Sequence, residues 1–360
     1  MKPGRIDTRG KPSRRGRIDT RGKPGRRGYD WLRICVLVLV ILLFLIVLGL
    51  RAPRFFTMRN VTNIVLQSSI TAIVALGLTL PILTGGIDLS VGSTAALAGT
   101  VSAGLIAQGG WTSGAAVAAA LLIGAGVGLV IGLLVVGGKL PPFVASLSML
   151  AVGRGLTLVY TEGRPISGLP EDYLILGGGT AIPLPIVFLI VIACFMHFLL
   201  TQTRFGHNVY AVGGNADAAR LAGISVGKVT VMVYVISGIT AAFAGILLTA
   251  RLWSAQPTAG VGLELDAIAA VVLGGVSLMG GSGHAGAPLV GALIVGVIGN
   301  ALNYLKIQSY LQQVINGLIL IIAVMIDINS RRSRTADART AAEVSITIEE
   351  KHDVSNADHL

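Results

Sequence analysis

The chain has 360 residues, of which 53% are hydrophobic and 12% charged, with a mean hydropathy of +0.78. Soluble domains carry about 25% charged residues, so the composition excludes a soluble globular protein and reads as an all-α, polytopic bundle of transmembrane helices. The formal net charge of +11 does not call for nucleic acid, because the excess is gathered in an N-terminal arm ahead of the first apolar run, where it reads as a topology and lipid-contact signal.

That arm is a tandem duplication. Arg5 to Gly16 (RIDTRGKPSRRG) and Arg17 to Gly28 (RIDTRGKPGRRG) differ only at Ser13 against Gly25, and eleven Lys and Arg precede Tyr29. With Gly, Pro and almost no apolar side chains, residues 1–30 cannot bury a core and are expected to be disordered. Trp31 to Leu50 follow with no small-residue cleavage site behind them, which fits a membrane anchor and the first of about ten spans in a transmembrane domain over residues 31–328. Cys35 and Cys194 both fall in expected spans, so no disulfide framework is implied.

Thr62 to Leu83 forms the second expected span. It runs into LTGGIDLSVGS, a Gly-rich turn holding Asp88, and Asp88 to Gln108 forms the third. Ala115 to Val136 is the fourth; its Gly124, Gly128 and Gly132, spaced by four, give one helix face for tight packing. Lys139, Pro141 and Pro142 mark a turn before the fifth span, Phe143 to Tyr160, which carries Arg154. The extramembrane loop TEGRPISGLPEDYLILGGGTAIP leads to the sixth, Leu184 to Leu200.

The one long polar interruption in the central chain comes next, TRFGHNVYAVGGNADAARLAGISVGKV, with a loop expected over 203–228. Asn215 can cap a helix through its side-chain oxygen, Asp217 falls in the first turn, Arg220 in the last, and Gly223 stands where a left-handed residue ends helices. The pattern predicts a two-turn helix from Ala216 to Ala222, with Ala218, Leu221 and Ala222 as a small apolar face. So short a helix is unstable alone and must dock on something, whether its own protein or a partner.

Val229 to Ala250 is the seventh span, followed by RLWSAQPTAGVGLELD. Ala267 to Met279, short for a full crossing, counts as the eighth, with Pro288 to Tyr304 and Tyr310 to Asp327 as the ninth and tenth. Residues 329–360 are polar, of mixed charge, and expected to be disordered. Placing the arm, Lys139, the Arg204 to Lys228 loop and Arg331, Arg332 and Arg334 on one side puts both termini in the cytoplasm; Arg51, Arg54 and Arg59 then fall outside, against eleven charges ahead of the first span. A faint internal echo pairs Gly85 with Gly274 and Gly86 with Gly275, as repeated halves with Gly-rich breaks would.

No phosphate loop occurs: the nearest candidate, Gly137, Gly138 and Lys139, is followed by Leu140. His197, His207, His284 and His352 are too scattered to hold a metal, so no cofactor is expected. The ionisable residues near membrane depth are Asp88, Arg154, Glu264 and Asp266. Such residues mark translocation paths, although Asp88 and Asp266 stand at helix starts, which favours capping, while Arg154 should face a water-filled path or a carboxylate. No carboxylate lies centrally in a span, as ion-coupled transport would require, which argues for an external energy source. A docked soluble ATPase needs a contact element, and the 203–228 loop offers one.

The segments ILTGGIDLSVGS, FVASLSMLAVGRGLTLVYTEG, TRFGHNVYAVGGNADAARLAGI, SAQPTAGVGLELDAIAAVVLGGVSLMGG and VINGLILIIAVMID, from about Phe55 to Asp327, resemble the permease subunits of ribose-type ABC importers. The duplicated arm and the long C-terminal tail depart from that family's pattern. The resemblance implies a paired or homodimeric permease in the bacterial inner membrane, a cytoplasmic ATP-binding subunit and a periplasmic sugar-binding protein. It also implies that Tyr210 to Ile224 is the coupling helix, with Gly214, Asn215, Asp217, Ala219, Arg220, Leu221 and Gly223 as its ATPase-coupling residues, and that the cargo is a small, ribose-like sugar. An ion-coupled secondary transporter is the alternative reading.

Overall fold

The computed structural model describes Gly49 and residues 53–178, 183–308 and 310–325. The basic arm, the C-terminal tail and all of the expected first span except Gly49 lie outside the described residues. Among the described residues the regular elements are helical: α1 (Met58–Leu83), α2 (Val91–Ala107), α3 (Ser113–Val136), α4 (Pro142–Thr161), α5 (Glu171–Leu174), α6 (Leu184–Gln202), α7 (Arg204–Gly214), α8 (Ala216–Leu221), α9 (Val226–Leu252), α10 (Leu263–Leu273), α11 (Ala287–Tyr304) and α12 (Tyr310–Met325). Six of these, α1, α3, α4, α6, α9 and α11, are long and apolar enough to cross a membrane, and α2 and α12 are shorter apolar helices.

The bundle is built around α1. Its apolar window is 83% buried against 17% for α6, because α1 is apolar on every side and is enclosed by α6, α9, α10 and α11. Two hydroxyls of this buried helix return to its own backbone, Ser69 to Leu66 O (2.8 Å) and Thr79 to Ala75 O (2.7 Å), whereas Ser68 Oγ is buried with no hydrogen-bond partner among the described residues. The glycine face of α3 seats on α9 as expected. A Cβ at Gly124 would meet Gly238 O, one at Gly128 would meet Tyr234 O, and one at Gly132 would meet the Val231 backbone. Glycine is required there because the two helix backbones touch.

Two non-helical, turn-rich segments interrupt the helices at depth. The first, Thr84 to Ser90, leaves the end of α1 and places Asp88 against Ser237, whose Oγ donates to it at 2.7 Å. Ser237 is the twelfth residue of α9, ~16 Å from that helix's start, or about half of a ~30 Å hydrocarbon layer. The second, Trp253 to Gly262, runs back from the end of α9 until Gly260 packs on Gly92 in the first turn of α2. From there α10 covers only eleven residues, ~16 Å, so a crossing at this point combines a turn-rich half with a helical half.

Irregular backbone at membrane depth survives only where protein groups satisfy it, and α4 supplies much of what is needed. Ser146 Oγ donates to Ile87 O (2.9 Å) in the first segment, while Arg154 Nη1 donates to Ala259 O (2.8 Å) and Pro257 O (3.2 Å) in the second. Ala255 also exchanges both backbone hydrogen bonds with Ile166. The loop expected outside the membrane is therefore packed in part against the bundle. Its Tyr173 is buried with its hydroxyl 2.7 Å from Ser102 Oγ, and burial pushes that phenol up to about 12.

Candidate functional site

The polar interruption folds into two helices rather than one. Thr203 caps α7 by accepting from Gly206 N (3.2 Å), and Val209 and Val212 turn inward on the apolar side of that helix. The sequence reading missed α7. The available signals were Thr203 as a cap and Phe205, Val209 and Val212 at helical spacing, hidden by Gly206, Gly213 and Gly214.

The second helix, α8, is fixed at both ends by its own residues. The Asn215 side-chain oxygen accepts from Asp217 N and Ala218 N, each at 3.0 Å. At the other end Ile224 N donates to Ala219 O and Gly223 N to Arg220 O, a Schellman closure that needs the left-handed Gly223 (φ +84°). Arg220 and Asp217 pair at 3.0 Å on the exposed side, a contact worth at most about 1 kcal/mol that also suits the helix dipole.

The inward and outward sides differ from the expected pattern. Ala219, expected among the coupling residues, is 4% exposed and faces the bundle, whereas Leu221 is 92% exposed. Ala218 and Ala222 share Leu221's exposure, and the helix ends at Leu221, one residue early. Leu221 is thus a large apolar side chain left in solvent on a helix fixed at both ends.

The base on which this pair of helices rests is made of backbone. A Cβ at Gly213 would fall on Leu83 O, at the end of α1, and 2.6 Å from Gly281 N, and Gly281 N itself donates to Leu83 O at 2.9 Å. Gly280 (φ +84°) packs on Gly85 N and Gly213 O, and Tyr210 Oη donates to Gly283 O at 2.8 Å, burial pushing that phenol's pKa up. The echoing Gly-rich segments near Gly85 and Gly275 thus meet each other, and both meet the C-terminal end of α7. They are not equivalent in the fold: one follows the full-length α1 and the other the half-length α10.

The three intramembrane candidates each have their own partner. Asp88 is fully buried and accepts from Ser90 N (3.0 Å), Ser90 Oγ (2.7 Å) and Ser237 Oγ (2.7 Å), so it orders the entry to α2 and also ties that entry to α9. The turn that carries it lies beside the middle of α9, so the carboxylate sits between helices rather than within one. Arg154 is half-buried and donates to two backbone carbonyls, with Glu264 as the offsetting charge. Asp266 does not cap α10, whose N-cap is Gly262; it accepts from Asn316 of α12 at 2.9 Å.

Helices on every side of a buried central one, with two turn-rich segments packed among them, define a multi-pass membrane protein, and α8 stands exposed beside α7, whose end rests on the Gly-rich segments that follow α1 and α10. Residues 60–324 match the family described as branched-chain amino acid transport system / permease component. The chain is 44% identical over 295 residues to the ribose import permease protein RbsC of Escherichia coli K12, covering 80% of this chain and 91% of that one. It is 39% identical over 284 residues to the D-allose transport system permease protein AlsC of the same organism (78% and 87%), and 38% identical over 303 residues to the L-arabinose ABC transporter permease protein AraH of Azospirillum brasilense (83% and 89%). No solved structure matches. The chain belongs to this family of ABC-importer permease components, and it is a transporter subunit rather than an enzyme.

Proposed function

We propose that the chain is the membrane-spanning subunit of a binding-protein-dependent ABC importer that carries a small, ribose-like monosaccharide across the bacterial inner membrane. ATP is hydrolysed by a separate cytoplasmic subunit, a periplasmic sugar-binding protein delivers the cargo, and two permease copies enclose the path. The relatives that import ribose, allose and arabinose support a monosaccharide cargo. In this reading ten spans leave both termini in the cytoplasm with the 203–228 loop.

The observation that carries the proposal is Leu221, 92% exposed on α8. Gly214, Asn215, Asp217, Arg220 and Gly223 shape and orient that helix, and Leu221 enters an apolar groove of the ATPase. Ala219 holds α8 to the bundle from the inner side. Arg154, Asp88 and Asp266 act on the path by holding the two turn-rich segments and α10 in register.

Leu221→Asp tests this directly, because burying an unpartnered carboxylate in an apolar groove costs several kcal/mol. The variant should reach the membrane as the wild type does, while co-purification of the ATPase and sugar uptake fall together. Full recruitment and uptake would make α8 an ordinary loop helix. The ion-coupled alternative draws on the buried depth of Asp88, but all of that residue's hydrogen bonds come from fixed Ser groups, which suits a structural carboxylate.

A further inference from the structure

Between α3, α6 and α9 lies a cleft of about 790 Å³ whose walls include Phe188, Phe195, Leu199, Met232, Ile236 and Phe243. Its one hydroxyl, on Thr240, is taken by Ser237 O at 2.9 Å. Phe188 and Phe243 stand edge to face at 5.1 Å, a fixed aromatic wall. Phe205 and Met232 line this cleft and also a second cavity of about 470 Å³, where Asn208, Ser225 and Lys228 bring in polar groups beside the link from α8 to α9. One slot therefore leads from membrane-depth phenylalanines to a polar mouth at the loop end of the bundle.

The mouth is cationic. Between Thr203 and Val229 there are three Lys and Arg against one Asp, and that Asp217 is occupied by Arg220. Lys228 is exposed and forms no ion pair among the described residues. An apolar shaft that ends at an unpaired ammonium matches one kind of molecule in a bilayer, and we infer that the slot binds a phospholipid with an anionic headgroup, its acyl chain along Phe195 and Phe243 and its phosphate at Lys228. The headgroup then lies against Gly223 and Ser225, where it braces the hinge between α8 and α9. The apolar run from Trp31 to Leu50 is the competing occupant, and the cross-linking arm of the test below distinguishes it.

The test uses the permease–ATPase complex in phosphatidylcholine vesicles doped with phosphatidylglycerol that carries a diazirine on its acyl chain, with the matching phosphatidylcholine probe in parallel. After illumination, labelled peptides from α6 and α9 should carry the phosphatidylglycerol probe about fivefold more than the phosphatidylcholine one, the factor expected of one basic residue at an anionic surface. Lys228→Glu should abolish that preference and Lys228→Arg should keep it. Equal labelling by the two probes, no label in the cleft, or a preference that survives Lys228→Glu overturns the inference. So does a photoreactive residue at position 195 that cross-links to residues 31–50 or to a second copy of the chain. Should Lys228→Glu fail to assemble, Ile236→Trp fills the shaft instead, and undiminished labelling of that variant is equally fatal.

Discussion

Replacing Gly213 by alanine adds one methyl group where the loop helices rest on the membrane bundle. That carbon would occupy the position of Leu83 O and lie 2.6 Å from Gly281 N and 2.9 Å from the Leu83 carbonyl carbon. All three atoms are backbone, and two of them are joined by the Gly281–Leu83 hydrogen bond of 2.9 Å, so no side chain can turn aside. Overpacking of this kind costs about 1–3 kcal/mol, and displacing the hydrogen bond adds about 0.5–1.5 kcal/mol. The strain falls on the joint between α7 and the two Gly-rich segments and leaves the Leu221 face untouched. Differential strain of about 1–3 kcal/mol shifts an equilibrium between two arrangements roughly 5- to 150-fold. In proteoliposomes holding the permease, its ATPase and its binding protein, Gly213→Ala should retain ATPase recruitment while sugar moved per ATP hydrolysed falls by at least about fivefold. Gly126→Ala is the matched control, since a Cβ there meets nothing within 4 Å and its φ is not positive. If both variants transport like the wild type, the glycine contact carries no motion and the reasoning fails.

Arg154→Ala strips the carbonyls of Pro257 and Ala259 of their donor, so it should lower thermal stability in detergent by about 1–3 kcal/mol for each acceptor left dry and reduce uptake; unchanged melting and uptake would mean that water replaces the guanidinium. Asp88→Ala leaves the Ser90 and Ser237 hydroxyls without their acceptor and should destabilise the bundle by about 1–3 kcal/mol, with the binding of the ATPase intact, as thermal melting and co-purification would report. Gly223→Val places a β-branched residue at φ +84°, costing at least about 1 kcal/mol; α8 should fray, and ATPase recruitment should weaken with no change in the melting of the membrane bundle.

What could be read in advance and what could not divide along physical lines. Apolar runs bounded by Pro, Gly and charge gave Leu184 to Leu200 where α6 spans Leu184–Gln202, and Thr62 to Leu83 where α1 spans Met58–Leu83. The helix α8 was readable because its cap, Asn215, and its stop, Gly223, are local signals that act within one or two turns. Its orientation was not, because whether Ala219 or Leu221 turns inward is decided by how α8 packs on α7 and α9, a tertiary contact that no local signal encodes. The same holds for Arg154, whose acceptors lie 103 and 105 residues further along the chain, and for Asp88, whose partner Ser237 lies 149 residues away. A polar residue near a helix start reads as a cap from sequence; only the fold shows that a Gly-rich turn carries it to the middle of a neighbouring span.

The claim at the centre of this account is that α8 passes the work of a separate ATPase to a sugar path through the membrane. It is tested most directly by measuring accumulation of a labelled ribose-type sugar in proteoliposomes that contain this chain, its ATPase and its binding protein. The account predicts accumulation that requires ATP and the ATPase, persists when a protonophore collapses the proton gradient, and is lost in Leu221→Asp. Accumulation driven by an imposed proton or sodium gradient, with no ATPase present, would contradict it.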